Sequence, residues 1–191
     1  MRYSDTRGQE TRRRVVRAAA AAACAHGSDG VRVAGVMAQV GLTHGGFYAH
    51  FASKESLLAA AVEEAFGANA RRFARLTAGL SGPQALKLFV DAYVSLKHRA
   101  EPENGCPIVS LSSDLPRQAE PIRQAYEAGV RRLIARIEGW LPDARKCHAA
   151  SLLAEMMGAV ALSRALSSEA DAETLLANSR ASLKARMGIG Q

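Results

Sequence analysis

The sequence is poor in strand-forming residues. Val, Ile and Thr together number 22 of 191, against 38 alanines. β-branched residues favour strands and alanine is the best helix former, so the composition predicts an all-α protein. Cysteines are few, with Cys24, Cys106 and Cys147 far apart and in no CxxC pair. That excludes a disulfide framework and a zinc ribbon, and it suits a reducing cytoplasm. No apolar run is long enough to cross a bilayer, and no leader pattern is expected at the Arg-rich start. Catalytic motifs are missing as well: no GxSxG elbow, no P-loop, no HExxH and no dinucleotide fingerprint after a strand. No enzyme, resident cofactor or metal is therefore expected.

The chain does have length, apolar content and unevenly placed charge. Its 191 residues are 48% hydrophobic, enough to bury a core without staples. The formal charge is +7. Residues 1–54 hold eight Lys and Arg against three acids, and residues 55–191 hold seventeen against fifteen. Nucleic acid, an anionic membrane surface or a bland basic surface would each fit that asymmetry.

Apolar spacing and breakers predict about nine helices. Residues 9–25 carry Val15, Val16, Ala19, Ala22 and Ala23 on one face, with Arg12, Arg13, Arg14 and Arg17 beside them. Gly27 and Gly30 break this helix. A short helix follows through Val33, Val36, Met37 and Val40, and Gly41 stops it. Thr43 is placed to cap a third helix to Phe51, and Ser53 a long fourth with Glu55 in its first turn. Leu86, Phe89, Val90, Tyr93 and Leu96 predict one further helix. Pro142-Asp143 is expected to open the penultimate helix and Asp171 the last. Those last two carry broad apolar stripes that suit packing within one chain or across a two-fold axis.

Val33 to Phe51 has the layout of a helix-turn-helix, which places its second helix in the DNA major groove. Phe47 and Phe51 would anchor that helix, with Tyr48 partly in the core as well as at the surface. Gly45-Gly46 weakens it and permits close approach to a duplex. Basic charge beside this unit favours phosphate contact by Arg12–Arg14 over a merely solvated face. A membrane-surface protein would share the charge but not the ordered run from Gly41 to Leu57.

That run, GLTHGGFYAHFASKESL, resembles the signature of the TetR family of transcriptional regulators, most specifically in its Tyr-x-His-Phe-x-Ser-Lys-Glu-x-Leu portion. The resemblance covers about the first quarter of the chain. It implies a homodimer, joined through the last two helices, that binds a palindromic operator and is released by a small-molecule inducer. It implies a DNA-binding domain over 1–54 and a ligand-sensing, dimerising domain over 55–191. Carried over, Thr43, Tyr48, His50 and Lys54 match backbone contacts, and His44, Gly45 and Gly46 fall where base edges are read. Gly46 departs from the usual Ser or Thr, Met37 from the usual Ala, and Arg32 stands near where a Thr or Ser cap is common, so it is expected to reach phosphate instead.

The sensor half offers Phe89, Tyr93, Leu96, Tyr126, Trp140, Met156 and Met157 as candidate ligand contacts, because pockets are mostly apolar with a few polar groups. Each also fits ordinary core. Cys106 opens a short helix after Gly105, where a thiol can have a lowered pKa. Some relatives in this family carry a cysteine in a similar setting and respond to electrophiles or oxidants. A small buried residue is the competing reading. Cys147-His148 has no evident further ligands, so no metal site is expected.

Overall fold

The computed structural model describes residues 2–189, with side chains from residue 6. Among these residues there are nine α-helices, four short 3₁₀ turns and no strand. The helices are α1 (Arg2–His26), α2 (Val33–Gln39), α3 (Lys54–Leu76), α4 (Gly82–Tyr93), α5 (Leu96–Ala100), α6 (Pro107–Leu111), α7 (Glu120–Glu138), α8 (Ala149–Ala165) and α9 (Glu169–Met187). Among the described residues no helix is long and apolar enough to cross a membrane.

Gly27 ends the first helical unit and Gly41 the second, both at positive φ, where a side chain would be strained. The start of α3 is fixed by a reciprocal cap. The Ser53 Oγ accepts from the Ser56 N–H, and the Ser56 Oγ accepts from the Ser53 N–H, each at 3.2 Å. One continuous hydrophobic cluster runs from Val15 to Ile189. Helix α3 is its spine. It packs on α1 and on α7, and Gly129 of α7 sits where a Cβ would collide with the Phe66 ring.

Four boundaries differ from expectation. The segment after Thr43 is a 3₁₀ turn, His44–Ala49, and the Thr43 side chain makes no cap. Two adjacent glycines lower the helical preference of a six-residue segment too far for an α-helix. The single helix expected through Leu96 splits at Val94, because the Ser95 Oγ accepts the His98 N–H at 3.1 Å and starts α5 afresh. Asp143–His148 is a separate 3₁₀ turn before α8, and the last helix begins at Glu169 with Ser168 as its cap.

Candidate nucleic-acid interface

The helix-turn-helix is held by its two inward aromatics. Phe47 and Phe51 are buried and stacked, with ring centroids 5.5 Å apart. Their i, i+4 spacing puts both on the core side of the turn. Tyr48, between them, is turned outward and 69% exposed. Its expected share in the core is absent, because the turn points it away. It keeps only edge contacts to Phe47 and His44, at 5.2 and 6.4 Å.

Arg32, Thr43, His44, Gly45 and Tyr48 are exposed, and Gly46, His50 and Lys54 are half-buried. They lie at the start of α2, along the 3₁₀ turn and at the start of α3. The first N–H groups of α3 and its helix dipole add positive character beside Lys54. Glu55, in the same first turn, is held below the usual carboxylate range, chiefly by hydrogen bonding to Ser53.

Neither glycine is required by packing. A Cβ at Gly45 would meet nothing within 4 Å, and one at Gly46 would meet Met37 Cε at 3.8 Å, ordinary contact. Met37 is fully buried. The long side chain at 37 thus packs up to the bare backbone at 46.

The arginines of α1 have internal duties that sequence spacing concealed. Arg14 donates to the Val40 carbonyl at 2.7 Å and closes the open end of α2. The Arg12 guanidinium sits 4.9 Å from the Phe51 ring centroid. Arg13 lies 3.9 Å from Glu10, and Arg17 3.8 Å from Glu64. All four remain exposed.

An aromatic cluster lies among the helices after α3. Phe89 contacts Phe73, Tyr93 and Trp140 at centroid distances of 4.6, 5.6 and 5.3 Å, and Tyr126 contacts Phe66 at 5.6 Å. Met156 is buried, and Leu96, Tyr126, Trp140 and Met157 are half-buried against the core. Phe89 is packed ring on ring with its three aromatic neighbours. The Tyr93 hydroxyl is buried with the Cys106 thiol beside it and makes no closer hydrogen bond among the described residues.

Cys106 is 0% exposed. Burial pushes its thiol up, opposite to the lowering that its place at a helix start suggested. Five residues of helix cannot offset full desolvation. Burial likewise pushes the Cys24 thiol up to about 12, whereas Cys147 is exposed. Among the described residues no three His, Cys, Asp or Glu converge as a metal site.

Two clefts flank the junction of α1 and α3. One, of about 580 Å³, lies between α1, α3 and the α5–α6 link; the other, of about 490 Å³, between α1 and α3 nearer Arg12. A third, of about 80 Å³, lies between α3 and α7. None of the eight candidate sensor residues lines any of these three. Asn69 was overlooked in the sequence. Its signal was a polar residue in the apolar stripe of α3, between Phe66 and Phe73.

Residues 15–61 match the family model described as bacterial regulatory proteins, tetR family. Over that stretch the chain has the N-terminal domain of the TetR family. Its members are DNA-binding transcriptional regulators rather than enzymes. A TetR regulator from Chloroflexus aurantiacus is 28% identical, with a TM-score of 0.76 over 96% of each chain. The reduced form of E. coli NemR is 21% identical, with a TM-score of 0.77 over 92% of this chain and 96% of that one. AibR, solved with isovaleryl coenzyme A and operator DNA, is 15% identical, with a TM-score of 0.64 over 90% of this chain and 97% of that one. The last two likenesses speak for the shared fold. No curated protein sequence matches the chain.

Proposed function

We propose that this TetR-family regulator is a homodimeric repressor that binds a palindromic operator and leaves it when a small molecule binds. The observation that carries the DNA-reading part is the outward Tyr48 between two buried phenylalanines. It puts Thr43, His44 and the bare Gly45-Gly46 backbone on the solvent side, with Arg32, His50 and Lys54 flanking them. Thr43, Tyr48, His50, Lys54 and Arg32 are assigned to phosphates, and His44, Gly45 and Gly46 to base edges. In this reading residues 1–54 read DNA and residues 55–191 sense and dimerise.

The dimer reading rests on α8, which is apolar on both sides. Leu152, Leu153, Met156 and Val160 face the core, while Ala154, Ala161 and Leu162 stay exposed, Leu162 by 62%. A helix apolar all round belongs in an interior. Packing α8 and α9 against their copies would provide one.

For the sensor, a non-covalent inducer is better supported than Cys106 chemistry, because that thiol is buried and pushed up. The buried Tyr93 hydroxyl, with only the weak Cys106 thiol beside it, is the polar group such an inducer could bond if core neighbours such as Phe89 part around it.

The test is a gel-shift titration on palindromic duplexes from the chain's own promoter region, repeated at rising salt. Affinity is expected to fall steeply with salt, and Tyr48→Ala and Lys54→Ala to weaken it. Binding indifferent to salt and to both changes would refute the assigned surface. For the sensor, a mild electrophile should release wild type and Cys106→Ser equally; release of wild type alone would restore the covalent mode.

A further inference from the structure

The 580 Å³ cleft between α1, α3 and the α5–α6 link has the makings of a ligand site that the operator reading does not use. Its size is that of small-molecule pockets. Five cations line it: Arg17, Arg71, Arg72, Arg75 and Lys97. Three acids oppose them: Glu64, Glu101 and Glu103. Glu64 is shared between Arg71, at 2.7 Å, and Arg17, at 3.8 Å. Arg72 donates to the Asn104 carbonyl at 3.3 Å. Arg75 and Lys97 make no ion pair among the described residues, and both are exposed.

The floor is made small. Ala20, Ala21, Ala65 and Ala68 line it, leaving room and an apolar surface. Asn69 is the one largely buried polar side chain in this lining. It is 8% exposed, lines the cleft, and its amide takes no hydrogen bond among the described residues. An amide that opens on the cleft with no protein partner is free to bond a ligand's polar atoms. Guanidinium forks match phosphate oxygens two at a time, and charge-assisted bonds of that kind are the strong ones. The exposed Glu64 pairs are weak enough to be exchanged for such a ligand.

We propose that this cleft binds a small phosphate-bearing anion, held by Arg75, Lys97 and the Asn69 amide over the alanine floor. The site is distinct from the aromatic cluster around Tyr93 and stands whether or not the operator reading holds. Its walls come from α1 and α3, so an occupant touches the helix that supports the helix-turn-helix and the spine of the sensor half together.

The experiment is calorimetric titration of the full chain with inorganic pyrophosphate at constant ionic strength. Wild type should bind saturably, one anion per chain. Arg75→Gln with Lys97→Gln should weaken binding about tenfold or more. Ala68→Trp, on an exposed position, should block it. Unchanged thermal midpoints would show that both variants fold. Lys54→Ala, outside the cleft, should bind pyrophosphate as wild type does. The proposal is overturned if wild type shows no saturable binding. It is equally overturned if the folded cleft variants bind unchanged, or if Lys54→Ala abolishes binding and they do not. That last result would place the anion on the DNA-reading surface.

Discussion

The Ser28 N–H donates to the Asp114 carboxylate at 3.0 Å, joining residues 86 apart in the chain. Ser28 lies in the turn after α1, and Asp114 at the 3₁₀ turn that leads into α7. Gly27 sits so close beneath Asp114 that a Cβ there would come within 2.6 Å of Oδ2. The two halves of the molecule are thus clamped at the point where α1 hands over to α2. Asp114→Ala would leave the buried Ser28 N–H unpaired. It should cost about 1–3 kcal/mol of unfolding free energy. It should also change operator affinity, because the α1–α2 turn loses its anchor. Urea denaturation and gel-shift titration check both; neither moving would make the clamp idle.

Gly45 and Gly46 have negative φ and room for a methyl group. Gly45→Ala and Gly46→Ala should therefore keep stability or raise it by up to about 1 kcal/mol. Operator affinity should fall for the same variants, since the methyl would stand between backbone and bases. Thermal melts that drop markedly would show that the fold itself needs these glycines.

A Cβ at Gly158 would meet no atom within 4 Å. Gly158→Leu and Ala161→Arg should leave the single chain folded and break the proposed dimer. Light scattering with size-exclusion chromatography reads the mass directly. A dimer that survives both changes does not use the outer face of α8.

His98 is buried between two fixed partners. Its Nδ1 lies 2.7 Å from the Tyr93 carbonyl oxygen, and its Nε2 accepts the Cys106 N–H at 2.9 Å. The neutral ring with its proton on Nδ1 satisfies both. Burial, with Arg164 adding to it, lowers its pKa from 6.5 to about 4. Above about pH 6.5 neither folded nor unfolded chains protonate this ring. Between 6.5 and 4 only the unfolded chain does, so stability should fall as pH drops through that window. The loss is about 3 kcal/mol in full, and below pH 4 this group adds nothing further. Denaturation midpoints across the range, compared with His98→Gln, should show a shallower pH slope in the variant.

The chain's local grammar was readable in order. Gly41 as a stop, Ser53 as a cap and Phe47–Phe51 as an anchor all follow from residues within four positions of one another. Local rules stopped serving where distant groups compete. The cap of α3 was legible, but that Arg14 would close α2 by reaching Val40 was not. A helix start alone would lower the Cys106 thiol, and burial by the rest of the core pushes it up instead. The expected single helix through Leu96 split because a serine side chain found His98.

By itself the sequence determined the all-α class, the helix-turn-helix and the basic first quarter, because composition, short-range spacing and charge depend on neighbours alone. Tertiary structure decided which way Tyr48 points and what Arg12 and Arg14 hold. It also filled the aromatic cluster around Phe89 and opened a cationic cleft beside Asn69. Those outcomes depend on which helices meet, and burial energies are set by that meeting rather than by any one segment.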